Sequence, residues 1–183
     1  MLRRLVPPLS PTSMRAKLLI LNHSYIFLIS SIYVGLFTSL HFFWFPIFAT
    51  LTTQNYYEHI IAQTTNATHF FFIVIPPMIL AIFIMLWSEW RTKFRWVPLA
   101  WIVGLGVPIW VQQGPIETVN TILKTHVTDQ AQLSMLLERW MMLNHIRWAI
   151  LTVMWGIMLY YFIAKGNMMR VVDPANPENQ PRA

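Results

Sequence analysis

Between Leu18 and Ser88 the chain carries a single formal charge, Glu58. No water-soluble fold of this size can hide so long an apolar stretch, because exposed apolar surface on that scale drives association. A bilayer core of about 30 Å needs roughly 20 mostly apolar residues per helix, and the charge-free runs divide accordingly. The first predicted helix covers 18–48, the second 69–87, the third 96–112, where Pro98 and Pro108 fall, and the fourth 140–164, interrupted by Arg147. Backbone groups in lipid must be satisfied within the segment, so long unbroken runs read as helices rather than as alternating barrel strands. The expectation is an all-α bundle of four transmembrane helices. It forms a membrane domain over 18–165, with tails at 1–17 and 166–183.

Basic residues set the orientation. Arg3, Arg4, Arg15 and Lys17 precede the first helix, Arg91, Lys93 and Arg95 separate the second from the third, and Lys165, Arg170 and Arg182 follow the fourth. Only Lys124, Arg139 and Arg147 belong to the other side. Both termini are therefore predicted to be cytoplasmic, in a bacterial inner membrane, with loops 49–68 and 113–139 outside. The N-terminal apolar run is too long for a secretory signal and reads as an uncleaved anchor. The net charge of +6 follows from this asymmetry and calls for no nucleic acid. With no cysteine in the chain, disulfides, thiolate metal sites and a cysteine nucleophile are excluded. No glycine-rich phosphate loop is present, and two aspartates, Asp129 and Asp173, give poor support to a Ser–His–Asp site. The outer segments 115–124 and 130–139 space their apolar residues as short amphipathic helices.

Polar groups at membrane depth are costly, which makes each a candidate for function. His41 lies 18 residues beyond His23, about 27 Å along a helix, and so falls near the outer end with His69 and His145. These three could converge on a metal ion or haem, since neutral imidazole is the commonest metal ligand. They could equally be interfacial histidines that bind water and headgroups. Asn144, Arg147 and Trp148 share one face of the fourth helix. Arg147 is expected either to face the interior, paired with Glu58 or Glu117, or to reach for headgroups. Trp44 and Phe45, from the run His41–Pro46, could wall a pocket with Trp148, although aromatics also gather in the interfacial belt. The methionines, Met141 and Met142 included, read as core filling. Pro76-Pro77 should kink the second helix, and Gly104 and Gly106 permit close approach of the third helix to a neighbour.

Three motifs then stand together: Gly35…His41-Phe42-Phe43-Trp44-Phe45-Pro46, Pro115-Ile116-Glu117-Thr118-Val119-Asn120, and Arg139-Trp140…Asn144-His145-Ile146-Arg147. Together they resemble the anthrone-oxygenase-like family of small four-helix membrane proteins, over roughly residues 25–165. The resemblance implies an oxygenase or oxidoreductase acting on a lipophilic aromatic or quinol-like molecule. It places Asn120, Trp140, His145 and Arg147 at the site. Taken with the helix faces read above, the expectation puts Asn120, His145 and Arg147 in catalytic roles and Trp44, Phe45, Trp140, Asn144 and Trp148 against the substrate. The competing expectation is a noncatalytic subunit of a larger membrane complex, binding helices, lipid or pigment. For the topology, alkaline phosphatase fused after residues 60 and 126 should be active, and fused after 93 and 175 inactive. Activity at position 93 would overturn the predicted orientation.

Overall fold

The computed structural model describes residues 11–172, with side chains from 14 to 166. Four helices account for nearly all of it, each long and apolar enough to cross a membrane, and the chain is an integral membrane protein. Helix α1 joins Pro11–Ser39, a π-helical turn at Leu40–Trp44 and Phe45–Phe48. Helix α2 joins a π-helical turn at Tyr57–Ile61 to Ala62–Glu89. Helix α3 runs through Trp96–Val111, a π-helical turn at Gln112–Ile116 and Glu117–Leu123, and α4 is the single helix Gln130–Val172. α1 packs on α2 and α4, and α3 packs on the same two. The order α1–α2–α3–α4 thus runs around the bundle and leaves its axis to be filled by side chains or by space.

The helices are longer than their apolar runs, which corrects several sequence boundaries. Hydropathy marks where lipid contact ends, but a helix continues wherever its backbone bonds can be made. Segments 115–124 and 130–139 are helical as expected, but they continue α3 and begin α4 rather than standing apart from the bundle helices. Likewise α1 begins at Pro11 and α4 reaches Val172, so both tails are helical where they adjoin the membrane domain. The remainder of the tails, 1–10 and 173–183, lies outside the described residues. α2 passes through Pro76 and Pro77 as one continuous helix.

Proline accompanies two of the three π-helical turns, all of them at the end of the bundle opposite Pro11 and Val172, called distal here. Pro46 cannot donate a backbone bond to the preceding turn. Just before it the ladder widens, and Phe45 N–H bonds to the carbonyl of Leu40, five residues back. Pro115 lies within the π-helical turn of α3, where Glu117 N–H reaches the carbonyl of Gln112. Such wider turns re-aim neighbouring side chains and recur at functional sites. His41 and Gln112 both sit on them.

Two apolar clusters hold the bundle. One, in the middle and proximal part, centres on Ile26, Met85, Trp101, Met158 and Tyr161. The other closes the distal end around Phe48, Tyr56, Ile116, Leu123 and Leu133. There the buried Tyr56 hydroxyl donates to the carbonyl of Leu123 at 3.0 Å and accepts from Val127 N–H at 2.6 Å. Gln130 ties the 49–56 connection down through Thr53 N–H at 3.0 Å and the Leu51 carbonyl at 3.1 Å. Between α3 and α4, Met154 lies over Gly104, where a Cβ would come within 2.3 Å of its sulfur. The close approach expected at Gly104 is therefore present. At Gly106 a Cβ would meet open space.

Candidate functional site

Arg147 projects from α4 into the distal half of the bundle and is 7% exposed, so it does not reach out to headgroups. Its Nη1 donates to Gln112 Oε1 at 2.6 Å and to Asn144 Oδ1 at 3.1 Å. Asn144, one turn earlier, is held in register because its Nδ2 donates to the Trp140 carbonyl at 2.8 Å. Trp140 in turn donates from Nε1 to Asn120 Oδ1 at 3.1 Å. On the α1 side the guanidinium carbon stands 4.9 Å from the Phe37 ring centroid, a favourable cation–π contact when desolvated.

All these partners are neutral. The carboxylates expected to pair with Arg147 lie elsewhere: Glu117 faces Lys124 at 3.6 Å, with both side chains half exposed, and Glu58 is exposed at the distal surface. Arg147 Nε–H has no partner among the described residues, and neither does the Tyr33 hydroxyl.

Beside this group the four helices enclose a cavity of about 720 Å³, within the range usual for small-molecule sites. Its wall towards the bundle centre is apolar, with Phe71, Ile75, Leu105 and Leu151, while Gln63, Asn66, Gln113 and Asn120 line its distal part. Leu36 on α1 and Phe72 on α2 line the cavity and are also 47% and 75% exposed. The cavity therefore reaches the surface that lipid would cover, with α1 and α2 contributing to its rim. Trp44, Trp140, Asn144, Arg147 and Asn120 all line it.

The histidines do not. His41 and His145 come together on the other side of α4, with His41 Nδ1 2.6 Å from His145 Nε2. Trp148 stacks parallel to His41 with centroids 5.1 Å apart, anchored by its Nε1 bond to Thr38 Oγ1 at 3.1 Å. Phe45 meets His145 edge-on at 4.8 Å. The single pocket expected to join histidines and Arg147 is thus two sites. Residues 144 and 145 point about 100° apart on a helix, so Asn144 and Arg147 serve one face while His145 and Trp148 serve the next. His69 is exposed on α2, and among the described residues no three His, Cys, Asp or Glu side chains are grouped to hold a metal ion. The expected three-imidazole set of His41, His69 and His145 is not formed there. Depth along the axis brought those residues level, but their helical faces differ.

A further polar group at the proximal end is absent from the sequence reading. Glu89, 2% exposed, bonds to Lys165 and accepts from the Tyr161 hydroxyl at 2.7 Å and from Thr92 Oγ1 at 2.7 Å. The Tyr161 hydroxyl also lies 3.1 Å from His23 Nδ1, and Ser88 Oγ lies 3.4 Å from His23 Nε2. Every strong donor here converges on one carboxylate, which identifies the group as a lock between α1, α2 and α4.

No protein-family model, curated protein or solved structure matches the chain. The likeness to anthrone-oxygenase-like proteins therefore rests on the short motifs alone. What the fold establishes is a small integral membrane protein of four spans.

The proximal lock makes an asymmetric prediction. Lys165→Met strands a buried carboxylate and should cost on the order of 3 kcal/mol, as for other broken buried pairs. Glu89→Gln leaves Lys165, whose side chain is 30% exposed, free to turn to water and should cost clearly less. Thermal unfolding in detergent, followed by circular dichroism, measures both. Equal losses would contradict the assignment.

Proposed function

We propose that the distal cavity binds a lipophilic aromatic molecule bearing an acidic oxygen, of quinol, hydroxyquinone or anthrone type, as the substrate of a membrane oxidoreductase. The observation that carries this reading is Arg147: a buried cation with only neutral partners, at the wall of a cavity otherwise lined by apolar, carboxamide and hydroxyl side chains. An ionised oxygen would supply the missing counter-charge and accept a charge-assisted hydrogen bond. The aromatic body would lie against Trp44, Phe71 and Trp140, having entered from the bilayer between α1 and α2.

Anthrones and quinols become reactive towards dioxygen when they lose a proton to give an enolate or phenolate. A fixed guanidinium in a low-dielectric site stabilises that conjugate base more than water does. In this reading Arg147 holds the oxyanion, Gln112 and Asn144 orient the guanidinium, and Asn120 acts through Trp140. The histidines belong to a neighbouring site rather than to proton abstraction in the cavity. The ten-to-three division of basic residues supports a cytoplasmic membrane as the location, with the distal end facing away from the cytoplasm.

Trp44 and Trp140 line the cavity and provide the readout. A hydroxynaphthoquinone, anionic at neutral pH, should quench their fluorescence saturably in the detergent-solubilised protein. Arg147→Met should weaken this binding by about tenfold to a hundredfold, as expected for a lost hydrogen bond to a charged group, and Arg147→Lys should weaken it less. Affinity for the neutral parent naphthoquinone should change little in either variant. Equal loss for both quinones, or none for the anion, would contradict the site and favour a noncatalytic subunit.

A further inference from the structure

The second distal site has its own donor set. His41, from the π-helical turn of α1, and His145, from α4, present ring nitrogens to one another at 2.6 Å. They border an open pocket whose lining adds Glu138, Met141 and Met142 to the two imidazoles. On α4 these residues follow helical spacing: Glu138, Met141 or Met142, and His145 recur every three or four positions and so share a face. Met142 is 59% exposed, which is not the environment of a methionine used to fill a core.

Two imidazoles in one geometry, each braced by an aromatic partner, are a preorganised pair. The Trp148 stack, itself fixed through Thr38, holds the His41 ring, and Phe45 backs His145. Bonds of about 2.0 Å to a shared metal at a tetrahedral angle put two nitrogens about 3.3 Å apart. Opening the present contact to that separation needs only a small rotation of either ring. Thioethers select soft ions, and imidazole accepts copper readily. A monovalent ion also suits a membrane-interface site where Glu138 is the one carboxylate in the lining, because a single positive charge is then fully matched.

We propose that His41, His145 and the thioethers of Met141 and Met142 form a Cu(I) site at the distal face, independent of the Arg147 cavity. His41 and His145 supply the nitrogen ligands, and the methionines supply the sulfur that distinguishes Cu(I) from zinc.

The test uses the full chain in detergent with Cu(I) under reducing conditions and bicinchoninate as competing chelator. The expected result is one Cu(I) retained per chain, lost in His41→Ala and in His145→Ala. In the Met141→Leu/Met142→Leu variant it should be held at least about tenfold more weakly, the scale on which even outer-shell changes alter metal affinity. Thermal unfolding of each variant shows whether the fold persists. X-ray absorption on the copper-loaded wild-type protein requires no variant and should reveal both nitrogen and sulfur neighbours. Failure of the wild-type protein to retain copper would overturn the proposal, and the histidines would then be a hydrogen-bonded pair. A first shell without sulfur, or Zn(II) held as tightly as Cu(I), would overturn it as well.

Discussion

A guanidinium buried within a membrane domain without a carboxylate is the constraint on which the distal half of this protein turns. Removing a charge from water costs several kcal/mol even after relaxation, and lipid offers nothing to offset it. The protein answers with dipoles: two side-chain carbonyls and an aromatic face surround Arg147. Each needs a particular backbone to deliver it. Gln112 comes from a π-helical turn on α3, Asn144 is oriented by the Trp140 carbonyl, and Phe37 comes from α1. The polar group thereby fixes how three helices stand relative to one another, while leaving one positive charge unmatched. That residual charge distinguishes the distal group from the ion pair at the proximal end. There Glu89 and Lys165 neutralise each other, and Tyr161 and Thr92 donate to the same carboxylate.

The distal end of α4 serves two sites at once because a helix presents a new face with each residue. Positions 140, 144, 147 and 151 face the cavity, and 138, 141, 145 and 148 face α1 and its histidine. Trp148, the next residue after Arg147, stands at the boundary and stacks on His41. The cavity and the imidazole pair are consequently close but chemically separate: one is a largely apolar chamber with a guanidinium in its wall, the other an open pocket lined by imidazole, thioether and carboxylate groups.

The number of helices and their apolar cores were legible from charge alone, because in a bilayer the cost of a charged residue dominates every other preference. Arg147 and Asn144 were legible for the same reason. Gln112 was not singled out, although a polar residue at the end of an apolar run carried the same signal in weaker form. Glu89 and Lys165 follow the apolar runs of α2 and α4, where charge is ordinary, so nothing in their spacing revealed that packing buries the carboxylate between helices. The convergence of His41, His69 and His145 failed at His69 because a shared depth along the membrane normal says nothing about azimuth. Azimuth is set by helix rotation, which depends on packing between segments distant in sequence and on the π-helical turns that prolines at 46 and 115 accompany.

The central claim is that the charge of Arg147 is completed by a lipophilic anion. A high-resolution electron cryomicroscopy structure of the protein in lipid nanodiscs, carrying its native contents, tests this most directly. The account predicts elongated or planar density in the cavity between α1 and α2, with an oxygen within hydrogen-bonding distance of the guanidinium. A cavity filled only with ordered water, some of it bonded to the guanidinium, would contradict it.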